Sequence, residues 1–426
     1  GIYACGPTVY GRIHIGNARP FVAFTLLRRF LESEGYATRL VFNVTDVNDK
    51  IYAAAAVAGV GSAELASEML RLYVEDTNAL GLGRPDAEPL ATDSVAQIID
   101  LIEALIERGH AYESGGDVYF RVRSFDRYGS LSNRNPDDMD QGEEAGSASL
   151  KEDALDFALW KATKPDEDTS WESPWGRGRP GWHIECSAMA EQELGLPFAI
   201  HGGGSDLVFP HHENEIAQTV AGRDRPLAEI WMHNGMVIAG AEDKMSKSEG
   251  NFFLLHNAIE AFGAEAVVDY LISGHYRQPL AFGEEALRQS VARTERFRDF
   301  FRSSPQVPGA EDARVAAARE DFAGALADDF NTPRAMSALF GLVVDANKEP
   351  VPGARAAVAE LLDIVGLGTL ATEDAIDDGE AEKLLAQREE ARAARDFERA
   401  DALREELASQ GFEIRDTADG PRLVRR

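Results

Sequence analysis

The first twenty residues, GIYACGPTVYGRIHIGNARP, constrain the fold of this chain more than any other stretch. Ile2, Tyr3 and Ala4 predict a short buried strand, and Cys5 with Gly6-Pro7-Thr8 breaks it at its carboxyl end. His14-Ile15-Gly16-Asn17 then opens a helix running to about Glu34, with Phe21, Phe24, Leu27 and Phe30 at helical spacing. A strand, a turn and a helix N-terminus form a ready anion site, because unpaired N–H groups and the helix dipole point at the ligand. In open α/β sheets ligands collect beyond the carboxyl ends of the strands. An α/β framework with its pocket at this corner is therefore expected.

The rest of the chain extends that reading. Thr38–Asn43 predicts a second parallel strand ending in Val44-Thr45-Asp46, with helices over Ser62–Leu80 and Ser94–Arg108 and strands near Ala111–Tyr112 and Asp117–Val122. From Ser124 to Trp175 the rhythm breaks into acidic loop and aromatic turns. It resumes with a helix over Ile184–Leu194, a strand over Phe198–His201, a helix over His211–Ala221 opened by Pro210, and a strand over Ile230–Val237. Beyond Asn257 the pattern is helical, with a break at Gly366–Gly379 and a charged helical segment over Glu380–Ser409. Phe412–Ile414 and Arg422–Val424 can pair as a terminal hairpin about Ala418-Asp419-Gly420. At 426 residues, two to four domains are expected.

The formal charge of −30, from 73 acidic against 43 basic residues, is unusual for a protein that grips nucleic acid. Either no nucleic acid binds, or the acid is a solvation layer and phosphate contacts are local. Such a surface suits a salt-rich cytoplasm, where screening shortens the reach of self-repulsion. Two cysteines 181 positions apart make no secreted disulfide framework, and neither a signal peptide nor a long apolar run occurs. A cytoplasmic protein with no membrane and no DNA partner is expected.

A second motif decides between the charge readings. Lys244-Met245-Ser246-Lys247-Ser248 would arise by chance in on the order of one chain in ten thousand. HIGN followed by KMSKS on an α/β framework resembles a class I aminoacyl-tRNA synthetase. GIYACGPTVYGRIHIGNAR, NVTDVNDK, RPGWHIECSAM and HGGGSDLVFPHHENEIAQ all resemble the cysteinyl-tRNA synthetase family, and the likeness runs over nearly the whole chain. Family members carry further residues ahead of the first strand, so either a truncated sequence or a leader before Gly1 is expected. The resemblance implies a Rossmann-like catalytic domain with a parallel sheet (1–123 and 181–229), interrupted by an acceptor-end insertion (124–180). A KMSKS-bearing stem-contact region (230–286), a helical bundle (287–372) and a small C-terminal anticodon-binding domain (373–426) follow. In the insertion, Arg177 and Arg179 either touch the acceptor end of tRNA or lie on a surface loop.

The implied reaction is ATP-dependent adenylation of L-cysteine and transfer to the terminal adenosine of tRNA(Cys), with Mg2+ accompanying ATP. Five of the nine histidines lie between His183 and His233, an interval that also holds Cys186. Cys5, Cys186, His211 and Glu215 match the family's zinc ligands position by position, and their residue types suit zinc. Adjacent parallel strands would bring the two cysteines together at their tips, and His212 is the competing ligand. Zinc gives a reason for the selection of cysteine over serine, since apolar pockets separate such isosteres poorly, by about a hundredfold. The thiolate either adds to four protein ligands or displaces a weak one, with Glu215 the candidate.

By the same resemblance His14, Asn17, Lys244 and Lys247 act on ATP, with Lys247 the more direct, while Gly16 allows close approach of adenine. Ser246, Ser248, Gly250 and Asn251 suit a closing loop. Gly203, His201 and Asp206 line the cysteine and adenosine pockets, with His201–Asp206 forming amide nests after a strand. Trp182 is either an aromatic wall or core, and Thr45 either borders the amino acid or caps a helix. Arg388, Arg392, Arg395 and Arg399 recur on one helical side, for RNA or as a salt-bridged solvated face. Competing functions are a mycothiol-pathway cysteine ligase acting on an amino sugar and a non-catalytic RNA-binding relative.

Overall fold

The computed structural model describes residues 1–138, 149–239, 254–372, 379–410, 412–417 and 420–425. Lys244, Ser246, Lys247, Ser248, Gly250, Asn251, the acidic run 139–146, the turn at 418–419 and Arg426 lie outside the described residues. In chain order the first elements are β1 (Ile2–Ala4), α1 (Ile15–Ser33), β2 (Leu40–Phe42), α2 (Asp49–Ala58), α3 (Ser62–Asn78) and α4 (Val95–Glu107). Next come β3 (Ala111–Ser114), β4 (Asp117–Phe120), β5 (Phe157–Ala162), β6 (Gly178–Pro180), α5 (Trp182–Leu194), β7 (Phe198–Gly204), α6 (Glu213–Arg223), β8 (Ala228–Asn234) and β9 (Val237–Ala239). Then follow α7 (Leu255–Phe262), α8 (Ala264–Ile272), β10 (Leu280–Phe282), α9 (Glu284–Ser303), α10 (Ala313–Ala327), α11 (Thr332–Lys348) and α12 (Ala354–Ile364). The chain closes with α13 (Gly379–Ala393), α14 (Phe397–Ser409), β11 (Phe412–Thr417) and β12 (Gly420–Arg425).

The central sheet is parallel, in the order β2-β1-β7-β8, with Ile2 opposite Leu40 and Ile200, and Tyr3 opposite His201. Both its faces are covered, so β1 and β2 read as continuous apolar runs. Alternation along β1 sends Ile2 and Ala4 into the core shared with Phe21 and Phe24 of α1. Tyr3 and Cys5 face the other way, toward Cys186 and Met189 of α5. Gly202 is where α1 meets the sheet: a Cβ there would lie 1.9 Å from the Phe24 ring. This strand runs on through Gly204, so the expected amide nest after a strand is instead strand backbone.

Three further expectations change. β3, β4, β5 and β6 form one antiparallel sheet in that order, so the sheet of the inserted region reaches back to Ala111, across the expected boundary at 123/124. The single strand over Ile230–Val237 is two. β8 ends at Asn234, and β9 pairs in parallel with β10 in a separate sheet. The corner between them is packed tightly: a Cβ on Gly235 would sit 2.3 Å from the Gln278 carbonyl oxygen. The charged helix over Glu380–Ser409 is also two helices. Arg395 adopts φ +60° between them and Asp396 caps α14 by accepting from the Arg399 N–H. Arg388 and Arg392 therefore do not share a helix side with Arg395 and Arg399.

The bundle α10–α12 packs on the same core as α1, with Phe30 and Phe330 ring centroids 6.5 Å apart. The tail has its own small core of Ala381, Leu407 and Phe412. Its hairpin pairs Phe412 with Arg425 through to Thr417 with Gly420, as expected.

Candidate active site and metal centre

Cys5 continues β1 by one residue, donating its backbone N–H to Gly202 O at 3.0 Å. The chain then turns at Gly6, where a Cβ would lie 1.8 Å from Asn43 O. Cys186 comes from the second turn of α5, not from a neighbouring strand tip. Helix α5 lies on the sheet face that Tyr3 and Cys5 share, and this brings the sulfurs to 3.8 Å. The third contribution is a five-residue wide turn over Val208–His212, in which Phe209 is extended (φ −139°, ψ 134°). The turn delays α6 to Glu213 and aims His211 and His212 inward, both buried.

Cys5, Cys186, His211 and Glu215 present one donor atom each within 4.8 Å of one another. Cys5 Sγ lies 3.7 Å from Glu215 Oε1, and His211 Nε2 lies 3.1 Å from the same oxygen. Tetrahedral zinc, with bonds near those usual for sulfur, nitrogen and oxygen, gives edges of about 3.8 Å (S–S), about 3.5 Å (S–O) and about 3.3 Å (N–O). The three corresponding separations in the cluster match within a few tenths of an ångström. The alternative group, Cys5, His201, His212 and Glu215, fits less well. His212 Nε2 is 3.4 Å from Cys5 Sγ but 4.0 Å from Glu215 Oε1, and His201 Nε2 is at hydrogen-bonding distance, 2.7 Å, from Glu215 Oε2. His212 instead meets His233, Nδ1 to Nε2 at 2.8 Å.

The electrostatics suit a metal-binding thiolate. A hydrogen bond donated by Cys5, with His211 beside it, overcomes burial and lowers the Cys186 thiol to about 6, while burial pushes Cys5 up. Burial lowers the His211 imidazole, but Cys186 and Glu215 outweigh it and raise it overall. Burial drives His183 and His212 well below the usual histidine range. His183 Nδ1 lies 2.9 Å from His211 Nδ1, so a His211 that ligates through Nε2 can donate its other N–H to His183.

Around this centre the expected pocket residues divide. Trp182 is partly exposed and stacks on the His211 ring with centroids 4.3 Å apart, so it is not a core residue. Thr45 is buried and donates to Glu185 Oε2 at 3.2 Å; the cap of α2 is Asn48. Burial raises the Glu185 carboxyl well above its usual range, with Cys186 next in effect. Asp206 is exposed in the turn after β7, and a Cβ on Gly203 would press on Leu207. His201 is fully buried behind Glu215.

At the start of α1, His14 and Asn17 form a reciprocal cap. Asn17 N–H donates to His14 Nδ1 at 3.3 Å, and His14 N–H donates to Asn17 Oδ1 at 3.1 Å. Burial lowers the His14 imidazole. A Cβ on Gly16 would lie 3.0 Å from the His14 ring. Two residues distant in the chain bond close to the start of this helix. Leu255 N–H donates to Ile13 O at 3.1 Å, and the buried Arg19 guanidinium donates to Gly235 O at 2.6 Å. Sequence reasoning missed Arg19, His183 and Glu185, and did not foresee that His201 bonds to Glu215. The histidine cluster signalled His183, but the partners of all four depend on strand register and helix rotation.

In the inserted sheet Arg179 is buried and bound by Glu167 and Asp49. Arg177 is exposed and paired with Glu172.

The model of the class I (C) tRNA synthetase catalytic domain matches residues 1–292, a DALR domain 321–367, and the cysteinyl-tRNA ligase anticodon binding domain 378–421. A cysteine–tRNA ligase of Parvibaculum lavamentivorans is 46% identical over 98% of this chain and 92% of its own. Another from Streptococcus equi subsp. zooepidemicus is 44% identical over 100% of this chain and 94% of its own. Among solved structures, the methionyl-tRNA synthetase of Mycobacterium tuberculosis bound to methionyl-adenylate superposes with a TM-score of 0.65 at 17% identity, over 87% of this chain and 92% of that one.

Proposed function

Because the chain belongs to the cysteinyl-tRNA synthetase family of class I enzymes, we propose that its buried Cys5–Cys186–His211–Glu215 cluster holds the zinc that selects cysteine for its reaction. The activity is that of a cysteine–tRNA ligase, with cysteine, ATP and tRNA as substrates. Two catalytic steps follow: attack of the cysteine carboxylate on the α-phosphate, and transfer of the cysteinyl group to the terminal ribose. The observation that carries the metal reading is the set of donor separations, 3.8 Å between sulfurs, 3.7 Å from sulfur to oxygen and 3.1 Å from nitrogen to oxygen.

When bound, zinc supplies a soft Lewis acid that accepts a thiolate in preference to an alcohol. The chain's own groups do the rest. Trp182 lies over His211 as one wall of the approach, and Thr45 is held at the end of β2 by Glu185. His14 and Asn17 sit at the start of α1, where the helix dipole favours phosphate, and Gly16 keeps the backbone open to adenine. Lys244 and Lys247 neutralise charge developing on pyrophosphate, with Ser246 and Ser248 in the closing segment; such positioning and charge neutralisation dominate phosphoryl chemistry. Gly203 and Asp206 complete the adenosine side. The tail from residue 373 receives the anticodon end while the inserted sheet faces the acceptor end. The amino-sugar ligase reading is disfavoured by the anticodon-binding match over 378–421.

The test is metal content combined with substrate choice. Purified protein should carry one zinc per chain, and Cys186→Ser should lower zinc content and cysteine-dependent pyrophosphate exchange together. Full metal occupancy in a Cys5→Ser/Cys186→Ser protein would remove the assignment. Cysteinylation of an amino sugar in place of tRNA would overturn the substrate.

A further inference from the structure

We infer that His201 is a positioning residue for the metal centre: it holds Glu215 so that Oε1 alone faces the other ligands. The inference rests on the reading of the cluster as a zinc site. The Glu215 carboxylate is fully buried, and its two oxygens have different surroundings. Oε1 lies 3.1 Å from His211 Nε2 and 3.7 Å from Cys5 Sγ. Oε2 lies 2.7 Å from His201 Nε2.

A glutamate has three side-chain torsions, and a carboxylate can present one oxygen, the other, or both. Something outside α6 must select among these arrangements. His201 is suited to do so because it cannot follow the carboxylate. It sits on β7 opposite Tyr3 of β1 and Trp231 of β8. Its ring is stacked on Trp231 with centroids 4.5 Å apart, and Tyr3 abuts its other side at 5.2 Å. Two strand registers therefore fix the point from which Oε2 is held.

The bond also fixes the proton. An ionised carboxylate only accepts, so His201 carries its N–H on Nε2 and leaves Nδ1 as a bare lone pair. Nδ1 is buried and has no hydrogen-bond partner among the described residues. A bare lone pair there is tolerated more readily than an orphaned N–H would be. The 2.7 Å separation is also shorter than the edge of about 3.3 Å expected when nitrogen and oxygen bind one tetrahedral zinc. His201 is thus a hydrogen-bond donor to a ligand and not itself a ligand. Outer partners of this kind are worth on the order of 10–100-fold in metal affinity.

The experiment compares His201→Gln, His201→Asn and His201→Phe in the full-length zinc protein. A glutamine amide nitrogen reaches the position of Nε2, whereas an asparagine nitrogen overlays Nδ1. Zinc affinity is measured by competition with a chromogenic chelator, and ligand geometry by the visible spectrum of the cobalt-substituted protein. Expected are a roughly 10–100-fold loss of zinc affinity in Phe and Asn, an altered cobalt spectrum in both, and recovery of both readouts in Gln. Metal-free thermal unfolding separates packing from positioning, since packing loss does not distinguish Gln from Asn. Equal losses in Gln and Asn, or wild-type affinity in Asn, would overturn the inference while leaving the metal site intact. A wild-type protein that binds no zinc would overturn the metal reading itself.

Discussion

Gly202→Ala is the most direct perturbation of the packing that joins α1 to the sheet. The added Cβ would lie 1.9 Å from Cζ and 2.3 Å from Cε1 of Phe24, where ordinary contact needs about 3.4–4 Å. The ring must retreat by roughly 1.5–2 Å, and Phe24 is fully buried in a core that includes Phe21 and Phe42. Overpacking of this kind costs about 1–3 kcal/mol, and the size of the overlap puts the expectation at about 3 kcal/mol. The assay is a double-mutant cycle in urea or thermal unfolding with Gly202→Ala, Phe24→Leu and the pair. Leucine vacates the far end of the ring, so most of the cost should vanish in the pair, giving a coupling of about 2 kcal/mol. If Gly202→Ala is equally costly in the Phe24→Leu background, the clash is not its cause. A variant of unchanged stability that instead lost ATP binding would show Gly202 acting as a ligand cradle.

Lys247→Ala should lower pyrophosphate exchange far more than it weakens cysteine binding, because its charge acts on ATP; an unchanged exchange rate would contradict that role. Removing residues 379–426 should leave cysteine-dependent pyrophosphate exchange largely intact, since the tail has its own small core. The same deletion should sharply lower aminoacylation of full-length tRNA, and undiminished charging would make the tail structural. Arg179→Met should reduce stability by about 3 kcal/mol, because it strands the buried Glu167 carboxylate, and should leave KM for tRNA unchanged. A raised KM for tRNA at unchanged stability would return Arg179 to the RNA surface.

Much of the site was legible as residue types and little of it as arrangement. Helix α1 could be read because Phe21, Phe24, Leu27 and Phe30 mark one buried face, and its start because His14 and Asn17 flank a glycine. The break of the tail helix at Arg395 was not legible: the charge spacing on either side continues the helical pattern, and the left-handed residue carries no glycine to announce it. The sheet to which strands β3 and β4 belong was not legible, because short strands carry no local mark of their partner. The candidate metal ligands were reached through family resemblance, whereas the route of Cys186 through α5 depends on a helix packing over one face of β1.

Sequence alone determined the periodicity of the buried faces, the strand–turn–helix corner at residues 2–17, the ligand-type side chains and the anticodon-type tail. These are properties of neighbouring residues, set by backbone geometry and side-chain chemistry within a few turns of chain. Tertiary structure alone decided that Tyr3 lies opposite His201, that His201 holds one oxygen of Glu215, and that Arg19 ties the strand corner at Gly235 to α1. Each of those contacts joins residues separated by at least fourteen positions, up to more than two hundred. Their pairing follows from strand register, the wide turn before α6 and the faces on which helices pack, which no local spacing encodes.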